Sequence, residues 1–165
     1  MVRVLFVCLG NICRSPTAEG VFLKLLQDEA PELDVQVDSA GTAAYHVGEA
    51  PDSRSVAAGR RRGLELSALR ARSLQRKDFR EFDLILAMDH DNLRVLKARR
   101  PGNARAVVKL FLEYAPQCGA LEVPDPYFGD AHGFDRVLDL TTAAARGLLA
   151  ELKVQVAYRN VRSSQ

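Results

Sequence analysis

The sequence has only three cysteines, and no two of them form a C-x-x-C pair. An odd number of cysteines without that spacing argues against a disulfide framework and against a structural zinc site. The histidines, His46, His90 and His132, are scattered along the chain, so a histidine metal cluster is not predicted either. We therefore expect no bound metal and no cofactor, and a reducing cytoplasm is the compartment that fits the sequence best.

The sequence also lacks a large excess of either charge and any long apolar run. The 23 basic and 21 acidic side chains leave a formal charge of +2, which gives no reason to expect a nucleic-acid partner or membrane insertion. The apolar run at the N-terminus, Val2 to Val7, is shorter than the apolar core of a signal peptide, and no stretch reaches the length of a membrane span.

Internal repeats and low-complexity linkers are absent as well. The 165 residues are therefore expected to form one domain with a core of its own. We place this domain at residues 1–157 and expect it to be a monomer. The last residues, 158–165, are expected to be frayed.

What the sequence does contain is one organising segment near its start, Val7 to Pro16, which reads VCLGNICRSP. The apolar run before it is typical of a buried parallel strand, and the apolar residues after it recur at helical spacing. Ser15 is a favourable N-cap, and Pro16 fits the first helical position. The segment is therefore predicted to be a tight loop between a strand and a helix, where backbone N–H groups and the helix dipole favour an anion.

The residue types in this loop suit phosphate chemistry. Cys8 ends the predicted strand, Arg14 stands at the helix entrance, and Gly10 and Asn11 tolerate unusual backbone conformations. The loop N–H groups and a planar guanidinium can bind the oxygens of a phosphate monoester and favour the thiolate form of a cysteine. A thiolate beneath a bound phosphoryl group is placed for in-line attack, which forms a phosphocysteine. The alternative is a structural turn with a buried cysteine and a solvated arginine.

Further along the chain, strands and helices alternate. This alternation predicts an α/β fold with a doubly wound parallel sheet and helices on both faces, in which ligands bind at the carboxyl ends of the strands. Residues 112–129 are expected to be mostly loop. In chain order, the predicted elements are a strand over 2–7, a helix over 16–30, a strand over 35–39, a helix over 53–62, a short helix near 78, a strand over 84–88, a helix over 89–99, a strand over 106–110 and a last helix that includes 134–156.

The loop and the SPTAE sequence that completes it resemble the phosphate loop of the low-molecular-weight protein tyrosine phosphatases. Three further segments match that family in the expected order, namely DSAGT at 38–42, YHVGEAPD at 45–52 and DPY at 125–127. The resemblance implies a four-stranded sheet of order 2-1-3-4 and hydrolysis of aryl phosphate monoesters, with phosphotyrosine in a protein or peptide as the substrate. It assigns Cys8 as nucleophile, Arg14 as phosphate-binding residue, and Asp125 as general acid and then general base.

The resemblance also implies supporting roles around these three residues. Asn11 and Ser39 would hold the loop in shape, and the Ser15 hydroxyl would bind the thiolate, a role compatible with that of an N-cap. Tyr45 and Tyr127 would form aromatic walls for a substrate ring. The phosphate-binding loop would be completed by Leu9, Gly10, Asn11, Ile12, Cys13 and Ser15.

Two positions leave questions open. The family commonly has a histidine that bonds the loop asparagine where this chain has Leu69, so we expect a modest rate loss or a water in its place. Cys13 has two open interpretations: a reversible disulfide with Cys8, which the resemblance implies, or a small buried packing residue.

Three other functions compete with the phosphotyrosine phosphatase. An arsenate reductase of the same fold needs further thiols for a disulfide relay, and only Cys118 remains for that role. A protein arginine phosphatase tends to carry threonine where this chain has Ile12, and the apolar side chain favours an aryl phosphate. A non-catalytic phosphopeptide-binding module is disfavoured by the presence of Cys8, Arg14 and Asp125 together.

Overall fold

A computed structural model, which describes residues 1–163, contains a single four-stranded parallel sheet. The strands lie in the order 2-1-3-4 across the sheet, so the first strand is inside it, and this confirms the predicted fold class and strand order. The register places Cys8 opposite Gly41 and Val7 opposite Ala87, which brings the carboxyl ends of the inner strands to one edge. The strands are β1 (Val2–Cys8), β2 (Val35–Gly41), β3 (Leu84–Ala87) and β4 (Val107–Leu110).

Helices cover both faces of this sheet. Along β1, Val4 and Phe6 belong to one buried cluster, with side chains of the first and last helices. Leu5 and Val7 belong to a second cluster, with side chains of the two helices that flank β3 in the chain. This alternation follows from the two-residue period of a strand, which sends successive side chains to opposite faces. The helices are α1 (Arg14–Glu29), α2 (Ser53–Arg60), α3 (Asp78–Glu81), α4 (His90–Arg99) and α5 (Ala131–Ser163), and two 3₁₀ turns occupy Phe111–Tyr114 and Pro116–Cys118.

The start of α1 differs from the sequence prediction. The helix begins at Arg14, two residues before the predicted Pro16, and Cys13 occupies the N-cap position without a side-chain cap bond. Ser15 is therefore not the N-cap. The Cys13 carbonyl instead accepts bonds from the backbone N–H and the hydroxyl of Thr17, so the first turn closes without the usual capping side chain.

The end of α5 lies in the range where fraying was expected. That fraying stays a prediction, and the structure shows α5 as helix to Ser163. No glycine or proline follows Gly147 to end the helix, and the Arg162 guanidinium lies 5.9 Å from the centre of the Tyr158 ring one turn earlier. Residues 164 and 165 lie outside the described residues. Within residues 1–163, no helix is long and apolar enough to cross a membrane.

Candidate active site

The candidate site lies where β1 ends and the chain turns into α1. Cys8 is the last residue of β1 and only 3% exposed. Asn11 adopts a left-handed backbone with φ of 56°, which asparagine tolerates better than most residues. This conformation turns the chain back on itself, so that the backbone N–H of Asn11 donates to the Cys8 sulfur at 3.3 Å.

The carbonyl groups of the loop are held outward by neighbouring backbone. The Cys8 carbonyl accepts from the N–H of Thr42 at 2.9 Å, the Leu9 carbonyl from Ala43 at 3.0 Å, and the Ile12 carbonyl from Asp52 at 2.8 Å. Because C=O and N–H point in opposite directions across a trans peptide, the N–H groups that follow these carbonyls face the interior of the loop. Converging N–H groups of this kind form an anion-binding nest.

Gly41 makes this outward bonding possible. A Cβ atom at position 41 would lie 2.8 Å from the Leu9 carbonyl oxygen, so only glycine lets the end of β2 approach the loop this closely. Gly41 and Thr42, at the end of the DSAGT segment, thus hold the loop through backbone contacts.

A network of buried polar side chains supports the cysteine from behind. The Ser15 hydroxyl lies 2.9 Å from the Cys8 sulfur. The Asn11 side-chain amide donates to Ser15 Oγ at 2.8 Å and to Ser39 Oγ at 2.9 Å, while its oxygen accepts from the Arg72 backbone N–H at 2.9 Å. Since Ser15 Oγ accepts from Asn11, its own hydrogen is available for the sulfur.

The rate loss or water expected from Leu69 stays a prediction, and the structure shows how Asn11 is held without a histidine there. Every hydrogen-bonding group of the Asn11 carboxamide is paired with a protein atom. Leu69 itself packs against the large core cluster. The network is therefore complete without a histidine at position 69.

Arg14 is buried beside the loop and held by two neighbours. Its Nη1 atom donates to Asp89 Oδ2 at 2.6 Å and to the Val123 carbonyl at 3.1 Å, and its Nη2 atom lies 3.6 Å from Asp125 Oδ2. Burial lowers the pKa of Arg14, but the nearby Cys8 sulfur and the two carboxylates raise that pKa by more. The guanidinium is therefore a fixed cation that faces the site.

Asp125 enters the site from the loop that follows the second 3₁₀ turn. Its carboxyl is 44% exposed, and one oxygen accepts from the Tyr127 backbone N–H at 3.1 Å, which is an Asx turn. Prolines on both sides, Pro124 and Pro126, restrict the backbone of this loop. The carboxyl is thus held near Arg14 at the mouth of the site.

The loop, Arg14 and Asp125 surround one pocket of about 280 Å³. Its outer rim is aromatic, with Tyr45 exposed at 76%, Tyr127 at 38% and Phe128 at 95%. The residues that line it are Cys8, Leu9, Gly10, Ile12, Cys13, Arg14, Tyr45, His46, Asp125, Tyr127 and Phe128. The pocket therefore combines an anion-binding floor with walls that fit an aromatic ring.

Three residues of this site were missed by sequence reasoning. His46 and Phe128 line the pocket, and Asp89 holds Arg14. Asp89 directly follows the β3 region, at the carboxyl end of a parallel strand, and this position was a usable signal for a site residue. Phe128 directly follows Tyr127, a predicted wall of the pocket, and this was a weaker signal.

Cys13 faces the same pocket but differs from Cys8 in its surroundings. Burial raises the pKa of the Cys13 thiol to about 12, and the negative charge of Asp52 adds to this rise. At neutral pH this thiol is protonated, so it does not compete with Cys8 as a nucleophile.

Known phosphatases match the chain in sequence and in structure. The sequence model of the family described as low molecular weight phosphotyrosine protein phosphatase matches residues 3–158. A low molecular weight protein-tyrosine-phosphatase of Streptomyces coelicolor is 42% identical over 160 residues, which cover 95% of this chain and 97% of the relative. The crystal structure of a protein tyrosine phosphatase from Entamoeba histolytica with Hepes in the active site has a TM-score of 0.89 at 39% identity, covering 94% of this chain and 99% of the other. A Drosophila arginine phosphatase structure has a TM-score of 0.84 at 32% identity, with 91% and 97% covered.

Proposed function

The chain belongs to the low molecular weight phosphotyrosine protein phosphatase family, and from this premise we propose that it hydrolyses phosphotyrosine in proteins and peptides. The observation that carries the proposal is the placement of the Cys8 sulfur. It receives the Asn11 backbone N–H and contacts the Ser15 hydroxyl at the floor of a pocket that also contains Arg14 and Asp125. The N–H and the hydroxyl stabilise a thiolate, Arg14 binds a phosphate dianion, and Asp125 can protonate a leaving oxygen.

In the first step, the phosphate of the substrate binds to the inward N–H groups of the loop and to Arg14. The Cys8 thiolate attacks the phosphorus atom in line with the bond to the aryl oxygen, so that an S–P bond forms and the P–O bond breaks. Asp125, protonated at this stage, donates its proton to the departing oxygen. The products are a phenol, which leaves, and a phosphocysteine.

In the second step, water hydrolyses the phosphocysteine. The Asp125 carboxylate takes a proton from the attacking water, the new P–O bond forms, and the S–P bond breaks. Phosphate leaves, the Cys8 thiolate is restored, and Asp125 is again protonated. The N–H groups and Arg14 stabilise the negative charge on the three outer oxygens in both transition states, because they are already oriented.

The walls of the pocket support an aryl phosphate over a phosphoarginine. Ile12, Tyr45 and Tyr127 present apolar and aromatic surface to the space above Cys8, which matches a phenyl ring. A guanidino group would instead need polar partners at that depth. Protein arginine phosphatase activity is therefore the second candidate, since a structural neighbour carries that name.

We also propose that the protein acts as a monomer in a reducing cytoplasm. The mechanism needs Cys8 as a free thiol, and the three cysteines Cys8, Cys13 and Cys118 are all unpaired. A reducing compartment keeps thiols in this form.

The proposal is tested by steady-state hydrolysis of p-nitrophenyl phosphate and of phosphotyrosine, phosphoserine and phosphoarginine peptides. We expect turnover of the aryl substrates by the wild type, none by Cys8→Ser, and unchanged turnover by the control variant Cys118→Ser. Preferred turnover of phosphoarginine would favour the second candidate, arsenate reduction would favour the reductase, and binding without turnover would favour the non-catalytic module. Trapping with Cys8→Ser in a lysate would then identify the physiological phosphoproteins.

A further inference from the structure

Arg54 is a charged side chain beside the site that the mechanism above does not use. Its guanidinium carbon lies 5.5 Å from the centre of the Tyr127 ring and 4.6 Å from the centre of the Phe134 ring. Tyr127 is 38% exposed at the rim of the pocket, whereas Phe134 on α5 is only 3% exposed and belongs to the large core cluster. Arg54 therefore connects an aromatic wall of the pocket to the core.

Asp52 holds the guanidinium of Arg54 in one orientation. Arg54 Nε donates to Asp52 Oδ1 at 3.0 Å, and Arg54 Nη2 donates to Asp52 Oδ2 at 2.8 Å. A contact at two points fixes the plane of a guanidinium as well as its position. The hydrogen bonds from Arg54 also lower the pKa of the Asp52 carboxyl, so this pair stays charged at neutral pH.

Asp52 is itself fixed by the backbone on both sides. As the N-cap of α2, its carboxylate accepts from the Arg54 backbone N–H at 2.9 Å. Its own N–H donates at 2.8 Å to the carbonyl of Ile12 in the phosphate-binding loop. The loop, Asp52, Arg54 and Tyr127 thus form one connected series, which gives the tyrosine ring a defined place relative to the floor of the pocket.

The main chain at Tyr127 does not by itself determine where the ring lies. The Asp125 carboxyl accepts from the Tyr127 backbone N–H, but the side chain can still rotate about two bonds. Besides Arg54, the ring has two aromatic neighbours, Phe128 at 4.9 Å and His46 at 6.4 Å between ring centres. Phe128 is 95% exposed, so it gives the ring little support. The stacked guanidinium is the neighbour that reaches the core.

We propose that Arg54 is a positioning residue for Tyr127, whose stacked guanidinium holds the tyrosine ring in the orientation that packs against the aryl group of the substrate. This inference rests on the proposed function. A cation over an aromatic face is attracted by the ring, and a ring that is already held loses little freedom when the substrate binds. Arg54 is not among the residues that line the pocket, so it acts on the aryl group through Tyr127.

The experiment compares Arg54→Ala with the wild type by kcat and KM for p-nitrophenyl phosphate and by the inhibition constant of inorganic phosphate. The alanine frees the ring but keeps the backbone N–H that Asp52 caps. We expect kcat/KM to fall about three- to fivefold, mainly through KM, which is the worth of a partly exposed cation–π contact. Inorganic phosphate carries no ring, so its inhibition constant should stay within about 1.5-fold of wild type.

Two further variants separate the stacked geometry from the charge. Arg54→Lys keeps the positive charge but loses the planar, two-point contact, so it should resemble Arg54→Ala. Arg60→Ala is the matched control, because Arg60 is an exposed arginine on the same helix that binds Glu65 at 3.0 and 3.2 Å through two nitrogens. This control should keep the wild-type constants.

Several outcomes overturn the proposal. If phosphate inhibition weakens as much as kcat/KM falls, Arg54 acts through its charge or through the loop. If Arg54→Lys restores the wild-type kcat/KM, the stacked geometry has no role. In a Tyr127→Ala background, Arg54→Ala should change kcat/KM by less than about 1.5-fold, because the ring through which it acts is gone. An undiminished effect in that background also overturns the proposal.

Calorimetric titration with phenylphosphonate and with inorganic phosphate gives a readout that does not depend on turnover. Arg54→Ala should bind phenylphosphonate about three- to fivefold more weakly than wild type and bind phosphate equally well. Equal weakening of both ligands, or of neither, counts against the role of Arg54. A wild type that hydrolyses no aryl phosphate would refute the proposed function, while these titrations would still decide whether Arg54 positions the ring.

Discussion

Arg14 donates through Nη1 to Asp89 Oδ2 at 2.6 Å, although 75 residues separate the two along the chain. Asp89 is in turn held by its other oxygen, which accepts from the Asn92 backbone N–H at 2.7 Å as the N-cap of α4. The carboxylate therefore links the start of a helix to the phosphate-binding cation. The orientation of the guanidinium is set before any substrate arrives, and orientation of this kind is what lowers the barrier of phosphoryl transfer.

The first prediction concerns this pair. We expect Asp89→Asn to lower kcat/KM about tenfold and Asp89→Ala about a hundredfold, because a guanidinium without its charged partner loses a charge-assisted hydrogen bond. The measurement is kcat/KM for p-nitrophenyl phosphate together with the inhibition constant of inorganic phosphate. Asp91→Asn is the control, since Asp91 is exposed and forms an ion pair with Arg94 on the surface of α4. Unchanged phosphate inhibition in Asp89→Ala would contradict this account.

The second prediction concerns the proton donor. Asp125→Asn should slow hydrolysis of phenyl phosphate by about two to three orders of magnitude, but p-nitrophenyl phosphate by much less, because a good leaving group needs little protonation. Asp130→Asn, at an exposed carboxyl on the same loop, should behave as wild type. Equal slowing of both substrates would remove Asp125 from the acid role.

The third prediction concerns stability and pH. The pKa of Glu19 is raised from 4.5 to about 7 in the folded protein, so the folded state binds this proton more tightly than the unfolded state does. Between pH 4.5 and 7 stability therefore falls as pH rises, by on the order of 2–3 kcal/mol when Glu19 is fully ionised. Glu19→Gln should lack this loss. Urea unfolding of both proteins at pH 5 and pH 8 gives their free energies of unfolding. If wild type and Glu19→Gln differ by the same amount at both pH values, the prediction is contradicted.

The fourth prediction concerns oxidation. Because the pKa of the Cys13 thiol is about 12, its thiolate fraction rises about tenfold for each pH unit across the range 7 to 9. After peroxide treatment, the wild type should recover more activity with a thiol reductant than Cys13→Ser does, and the gap should widen from pH 7 to pH 9. Cys118→Ser serves as control. If wild type and Cys13→Ser recover the same activity at pH 7 and at pH 9, Cys13 has a packing role alone.

Sequence reasoning reached the parts of this site that are local in the chain. The strand, the turn and the helix around Cys8 and Arg14 follow from patterns a few residues long, and the parallel sheet follows from the alternation of elements. Ser15 was placed correctly beside the sulfur but wrongly as an N-cap. Capping preferences describe the helix alone, whereas the Ser15 hydroxyl contacts the Cys8 sulfur across the loop. Asp89 lies far from Arg14 in sequence, so only the fold unites them. Glu19 is the last residue of the SPTAE segment but was given no role, because a glutamate in an amphipathic helix is normally solvated.

The bond from Arg14 to the Val123 carbonyl has a mechanical consequence. The Val123 N–H also donates to the Met88 carbonyl at 2.8 Å, directly after β3. The segment that leads to Asp125 is therefore bonded both to the end of the sheet and to the guanidinium of Arg14. Enzymes that swing a flap over their substrate often wait for that flap to open. Because Val123 is bonded on both sides two residues before Asp125, we expect the Asp125 carboxyl to keep its place beside Arg14 without a closing motion of this loop.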